Sequence, residues 1–115
     1  MTQTRARHTI DKLLAALPEL GDTLRGSLLR RRTFHPSAIS CATCSSGKGH
    51  SQWVLNVNYP AGKTRQLSVH PQQVARVRQQ LRNLDRVRKT LERVCEINQR
   101  RLRAERKQLR EQEHD

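Results

Sequence analysis

Aromatic side chains are almost absent from this chain, which has one Trp, one Tyr and one Phe in 115 residues. Only 34% of its residues are hydrophobic. Short chains bury the smallest share of their surface on folding, so a large single core is excluded and a compact centre with solvated arms is expected. Long apolar runs are missing too. The opening stretch MTQTRARHTIDKLLAALPEL starts basic, but Asp11, Lys12 and Pro18 interrupt its apolar residues, which predicts neither a signal peptide nor a transmembrane segment. Cysteine is scarce and odd in number, at three. Without a secretory signal, that argues for a reducing compartment, and cytoplasmic residence is the expectation. The chain carries no Walker loop, dinucleotide fingerprint or Ser-His-Asp arrangement, and an enzyme is not expected.

Positive charge is what the chain has in excess. Twenty-three Lys and Arg face ten Asp and Glu, for a formal net charge of +13, and arginine far outnumbers lysine. Such an excess repels itself and implies a polyanion nearby. The planar guanidinium fork suits phosphates and base edges, which places nucleic acid ahead of an anionic membrane surface. No membrane partner is expected.

Three regions follow from periodicity. Residues 1–25 form an N-terminal helical segment in which Ile10, Leu13, Leu14 and Leu17 recur at helical spacing, with Thr9 as N-cap and Pro18 and Gly21 ending the pattern. Residues 26–70 form a small sheet. In QWVLNVNYPAGKTRQLSVHP, Trp53, Leu55, Val57 and Tyr59 alternate with Val54, Asn56 and Asn58. Beyond the Pro-Ala-Gly turn, Arg65, Leu67 and Val69 alternate with Thr64, Gln66 and Ser68, giving a β-hairpin with one apolar and one polar face. A hairpin alone is marginal in water, and the extended segment 27–34 is the natural third strand. Residues 71–115 open with Pro71 and then run without Gly or Pro, which predicts one long basic helix. Its stripe of Val74, Val77, Leu81, Leu84, Val87, Leu91, Val94 and Ile97 departs from a steady heptad and drifts around the helix. The first half is expected to cover the sheet, and the second to pair with the N-terminal helix, a second copy or a larger protein. Cys95, beside Val94, is expected to be a small buried hydrophobe.

The fold class is therefore α+β, comprising an N-terminal helix, a small three-stranded antiparallel sheet and a long C-terminal helix. Between strands one and two lies FHPSAISCATCSSGKGHSQW. Zinc takes four ligands in a tetrahedron, and a Cys-x-x-Cys turn supplies two thiolates at once. His35, Cys41, Cys44 and His50 are symmetrically spaced for such a knuckle, so zinc is the expected cofactor. A redox pair and incidental thiols are the alternatives, the first disfavoured because no βαβ pattern seats the motif at a helix start. The run Arg30, Arg31 and Arg32 is expected beside the polar face bearing Asn56, Asn58, Thr64, Gln66 and Ser68, with Lys63 and Arg65 on its flank. Asn and Gln can pair with adenine, Arg with guanine, and a β-ribbon fits the major groove. Arg100, Arg101 and Arg103 on the helix are candidates for sequence-independent phosphate contact.

The segments RGSLLRRR, CATCSSGKGHSQW, GKTRQLSVHPQQV and VCEINQRRL span most of residues 10–102. In them the chain resembles a family of short bacterial and archaeal proteins known only as a domain of unknown function, whose members look like companions of mobile elements. That family has a further cysteine followed by Cys-x-Cys where this chain has His35 and Cys41-x-x-Cys44. The resemblance implies no activity. Three strands followed by a helix also resembles, at the level of fold alone, the arm-binding domain of tyrosine recombinases. These readings converge on a DNA-binding accessory or regulatory protein serving a recombinase or transposase. The alternatives are an RNA-binding subunit using Trp53 or Tyr59 to stack on bases, and a coiled-coil adaptor without nucleic-acid contact.

Overall fold

The computed structural model describes residues 3–33 and 50–113. Helix α1 spans Gln3–Ala15, a short 3-10 turn covers Leu20–Asp22, and strands β1 (Ser27–Thr33), β2 (His50–Asn58) and β3 (Thr64–Val69) follow. A 3-10 turn at Pro71–Gln73 leads into helix α2, Val74–Glu113. The architecture is α+β, as the periodicities predict. The chain divides into two compact units, Thr23–Arg82 and the pairing of Met1–Asp22 with Asn83–Asp115.

In the sheet unit the strands lie in the order β1-β2-β3, all antiparallel. Ser27 pairs with Asn56 and Thr33 with His50, while Trp53 pairs with Val69 and Asn58 with Thr64. The hairpin turns through Pro60–Gly62, where Ala61 and Gly62 take positive φ values of 68° and 76°, and the Tyr59 amide donates to the Lys63 carbonyl at 2.7 Å. Leu55, Val57 and Val69 pack on Val74 and Val77 at the start of α2, with Leu24, Leu28, Trp53 and Leu81 around them. An antiparallel sheet with one face covered needs this alternation. His70 organises the junction: its imidazole accepts from the Gln72 amide, and the Gln73 side chain accepts from the His70 amide. That reciprocal arrangement caps the orphan donors at the helix start.

Gly26 shows how tightly β1 is fitted. Its φ of 139° lies where L-residues rarely go, and a Cβ there would stand 2.7 Å from the Asn56 carbonyl. Only glycine lets the chain enter β1 at this distance from β2.

In the other unit, α1 runs antiparallel to the later part of α2. Arg101 Nε donates to Gln3 Oε1 at 2.7 Å at one end, and an Arg86 guanidinium NH donates to the Ala16 carbonyl at 3.0 Å at the other. The second bond places a cation on a carbonyl left orphaned at a helix C-terminus. Ala6, Ile10 and Ile97 are buried together, with Leu13 and Val94 beside them. The Asn83 side-chain amide donates to the Asp22 carbonyl at 2.9 Å.

Two local expectations are corrected. Helix α1 begins at Gln3 rather than after a cap at Thr9, because Ala6, four residues before Ile10, extends the buried stripe by a turn; the Thr9 hydroxyl instead donates back to the Arg5 carbonyl at 3.0 Å. Cys95 is exposed, since the stripe of α2 that meets α1 passes through Val94 and Ile97 and leaves the intervening residues outside.

Candidate nucleic-acid interface

Charge is divided unequally between the two units. The sheet unit, Thr23–Arg82, holds ten lysines and arginines and no aspartate or glutamate, while the other unit holds thirteen cations and all ten carboxylates. Acidic residues are absent from the chain between Asp22 and Asp85. In the helical unit, carboxylates sit one turn from cations, as in Arg7 with Asp11 at 3.4 Å, Lys89 with Asp85 at 2.9 Å and Arg93 with Glu96 at 3.5 Å. The Asp85 side chain, through its hydrogen bond and charge, raises the Lys89 pKa above its ordinary value. The sheet unit has no internal carboxylate to do the same. This gap was readable in the sequence, but overall composition conceals it because the acids of the helical unit dilute the excess.

The side chains of the sheet sort by register. On the face turned away from the Val74 and Val77 cluster lie Ser27, Leu29 and Arg31 of β1, Gln52, Val54, Asn56 and Asn58 of β2, and Thr64, Gln66 and Ser68 of β3. Val54 is buried there between Leu29 and Ser68; the rest of the face is predominantly polar. Arg31 donates to Gln66 Oε1 at 2.9 Å, Gln52 to Ser68 Oγ at 3.0 Å, and Thr64 to Asn58 Oδ1 at 3.0 Å. These cross-strand bonds hold the polar groups in fixed orientations. Asn56 Oδ1 is the exception, buried with no hydrogen-bond partner.

Of the three consecutive arginines, only Arg31 therefore stands on the polar face. Arg30 and Arg32 alternate onto the side of Trp53 and Ser51, and Arg30 Nε donates to Ser51 Oγ at 2.6 Å. Arg65, expected at the flank, pairs with Val57 and lies over the Tyr59 ring. Lys63 is exposed in the hairpin turn. On α2, Arg100 and Arg103 are exposed, whereas Arg101 is half-buried and donates to Gln3 and Asn98. Its guanidinium joins α1 to α2 and has fewer donors left for a phosphate than its neighbours.

Both aromatic rings of β2 and its extension carry arginines. The guanidinium carbons of Arg30 and Arg78 each lie 5.3 Å from the Trp53 ring centroid. Those of Arg25 and Arg65 lie 5.0 and 5.6 Å from that of Tyr59. All four distances are within cation–π range. Sequence reading gave neither Arg25 nor Arg78 an aromatic partner, because the contacts depend on strand pairing and helix placement.

Of the expected zinc ligands, His50 opens β2 opposite Thr33. His35, Cys41 and Cys44 lie outside the described residues. No helix among the described residues is long and apolar enough to cross a membrane. Compared with protein-family models, curated proteins and solved structures, the chain matches none of them. The resemblance drawn from its motifs rests on those motifs alone.

Proposed function

We propose that this chain is a nucleic-acid-binding accessory or regulatory protein that prefers duplex DNA and engages it through the sheet unit. The observation that carries the reading is the absence of any carboxylate from a unit bearing ten cations. A folded unit so charged is stabilised by a polyanion that neutralises it. The polar face supports base contact in a groove, since Asn and Gln amides match adenine edges and a β-ribbon fits the major groove. Arg100 and Arg103 on α2 add contacts to any backbone. Service to a recombinase or transposase is the biological setting that the motif resemblance favours. Zinc on His35, Cys41, Cys44 and His50 would hold the segment between β1 and β2.

The test is titration of the intact chain with duplex DNA, single-stranded DNA and structured RNA at several salt concentrations. Duplex binding is expected to be tightest, and to weaken by about a thousandfold or more between roughly 50 and 200 mM salt if six or more phosphates are neutralised. Salt-independent binding, or tighter binding to structured RNA, would falsify the reading. A second reading, docking onto another protein through α2, is favoured by the exposure of Leu91 and Leu102, at 51% and 68%.

A further inference from the structure

We infer that Arg30 and Arg78 on Trp53, and Arg25 and Arg65 on Tyr59, form two preorganised clamps for the phosphates of a nucleic-acid backbone. This rests on the nucleic-acid reading and names the residues that hold the polyanion.

The four arginines come from different elements: Arg25 precedes β1, Arg30 lies in β1, Arg65 in β3 and Arg78 in α2. They converge in pairs on two rings of one central strand and its extension, at 5.0 to 5.6 Å. Two guanidinium groups sharing a ring repel each other, and the unit contains no carboxylate to offset that repulsion. An anion seated between them does so. A guanidinium fork held near a ring can donate in parallel to phosphate oxygens, the geometry in which arginine surpasses lysine. Ser51 Oγ further fixes Arg30 through Nε at 2.6 Å, leaving its terminal nitrogens for the ligand.

The two clamps are separated along the strand. Trp53 and Tyr59 are six residues apart in extended chain, because Tyr59 continues the β conformation beyond Asn58 at φ −113° and ψ 160°. At about 3.3 Å per residue the rings stand roughly 20 Å apart. Ring faces occupied by guanidinium are also poor platforms for unpaired bases, which turns the two aromatics from base-stackers, the role an RNA-binding subunit would give them, into supports for phosphate contact.

The test replaces all four arginines with lysine, preserving the formal charge and removing the planar fork. Urea unfolding followed by the fluorescence of Trp53 checks that the sheet persists, and if it does not, the Arg25→Lys and Arg65→Lys pair carries the test alone. The lysine variant is expected to bind duplex about tenfold or more weakly at roughly 150 mM salt. Phosphate-ethylation interference on the parent complex is expected to show phosphate contacts that fade in the variant. Equal binding by parent and lysine variant overturns the clamps while leaving the broader reading intact, because charge alone then suffices. A parent that binds no nucleic acid removes that reading and the clamps with it. Parental binding to phosphatidylserine vesicles as tight as to the duplex overturns the nucleic-acid assignment of the clamps.

Discussion

Asn56→Val separates stability from recognition. Asn56 is central in β2, paired with Ser27 on one side and Gln66 on the other, and its side-chain oxygen is buried without a partner. A buried acceptor left unsatisfied costs about 1–3 kcal/mol of desolvation. Valine removes that acceptor, fits the pleated surface better and gains part of the roughly 1 kcal/mol span of strand preference. Loss of the amide nitrogen offsets some of this gain. A net stabilisation of about 1–2 kcal/mol is therefore expected. For a unit of this size each kcal/mol raises the melting temperature by about 4–8 °C. Trp53, the chain's one tryptophan, lies in the same strand and reports the unfolding by fluorescence in urea or on heating. The same variant also removes the side-chain amide nitrogen, the group left to read a base, and should lose about 1–3 kcal/mol of discrimination there while keeping its affinity for unrelated duplexes. Destabilisation by more than about 1 kcal/mol would show that the oxygen is hydrogen-bonded in solution and would refute the reasoning.

Gly26→Ala is expected to destabilise the sheet unit by well over about 1–3 kcal/mol, because the methyl group meets the Asn56 carbonyl at 2.7 Å in addition to a strained φ; a stability equal to the parent's in the Trp53 assay counts against the described path into β1. Ile97→Ala opens a cavity where the side chain is 0% exposed against Ala6 and Ile10. It should cost about 2–5 kcal/mol, read as faster amide exchange in α1 with the sheet amides unchanged. Protein purified without added metal should carry stoichiometric zinc that a chelator removes with loss of stability. A content below about a tenth of an equivalent would refute the knuckle, and cysteine-to-serine variants at 41 and 44 should lose any metal found.

Local pattern determined the elements of this protein. Alternation with period two across Trp53–Tyr59 and Arg65–Val69 announces a hairpin, and a Pro71 start with no further Gly or Pro announces a long helix, because backbone geometry repeats these periods within a few residues. The need for a third strand follows from the weakness of an isolated hairpin, and 27–34 was the extended candidate; β1 occupies Ser27–Thr33. Tertiary structure decided which side chains meet. The run Arg30–Arg31–Arg32 reads as one basic patch, yet pairing with Trp53, Gln52 and Ser51 sends Arg31 to one face and its neighbours to the other. Register is a long-range property: a slip of one residue exchanges the two faces, and nothing inside the run encodes it. Arg25 and Arg78 meet Tyr59 and Trp53 only once β1, the hairpin turn and α2 are in place. Cys95 reads as buried beside Val94 but is exposed, because a helix that packs along one narrow stripe leaves adjacent positions outside and its partner alone selects the stripe. The acid-free stretch between Asp22 and Asp85 was visible in the sequence. Its meaning came from the fold, which gathers those residues into one unit and leaves its cations without internal carboxylates.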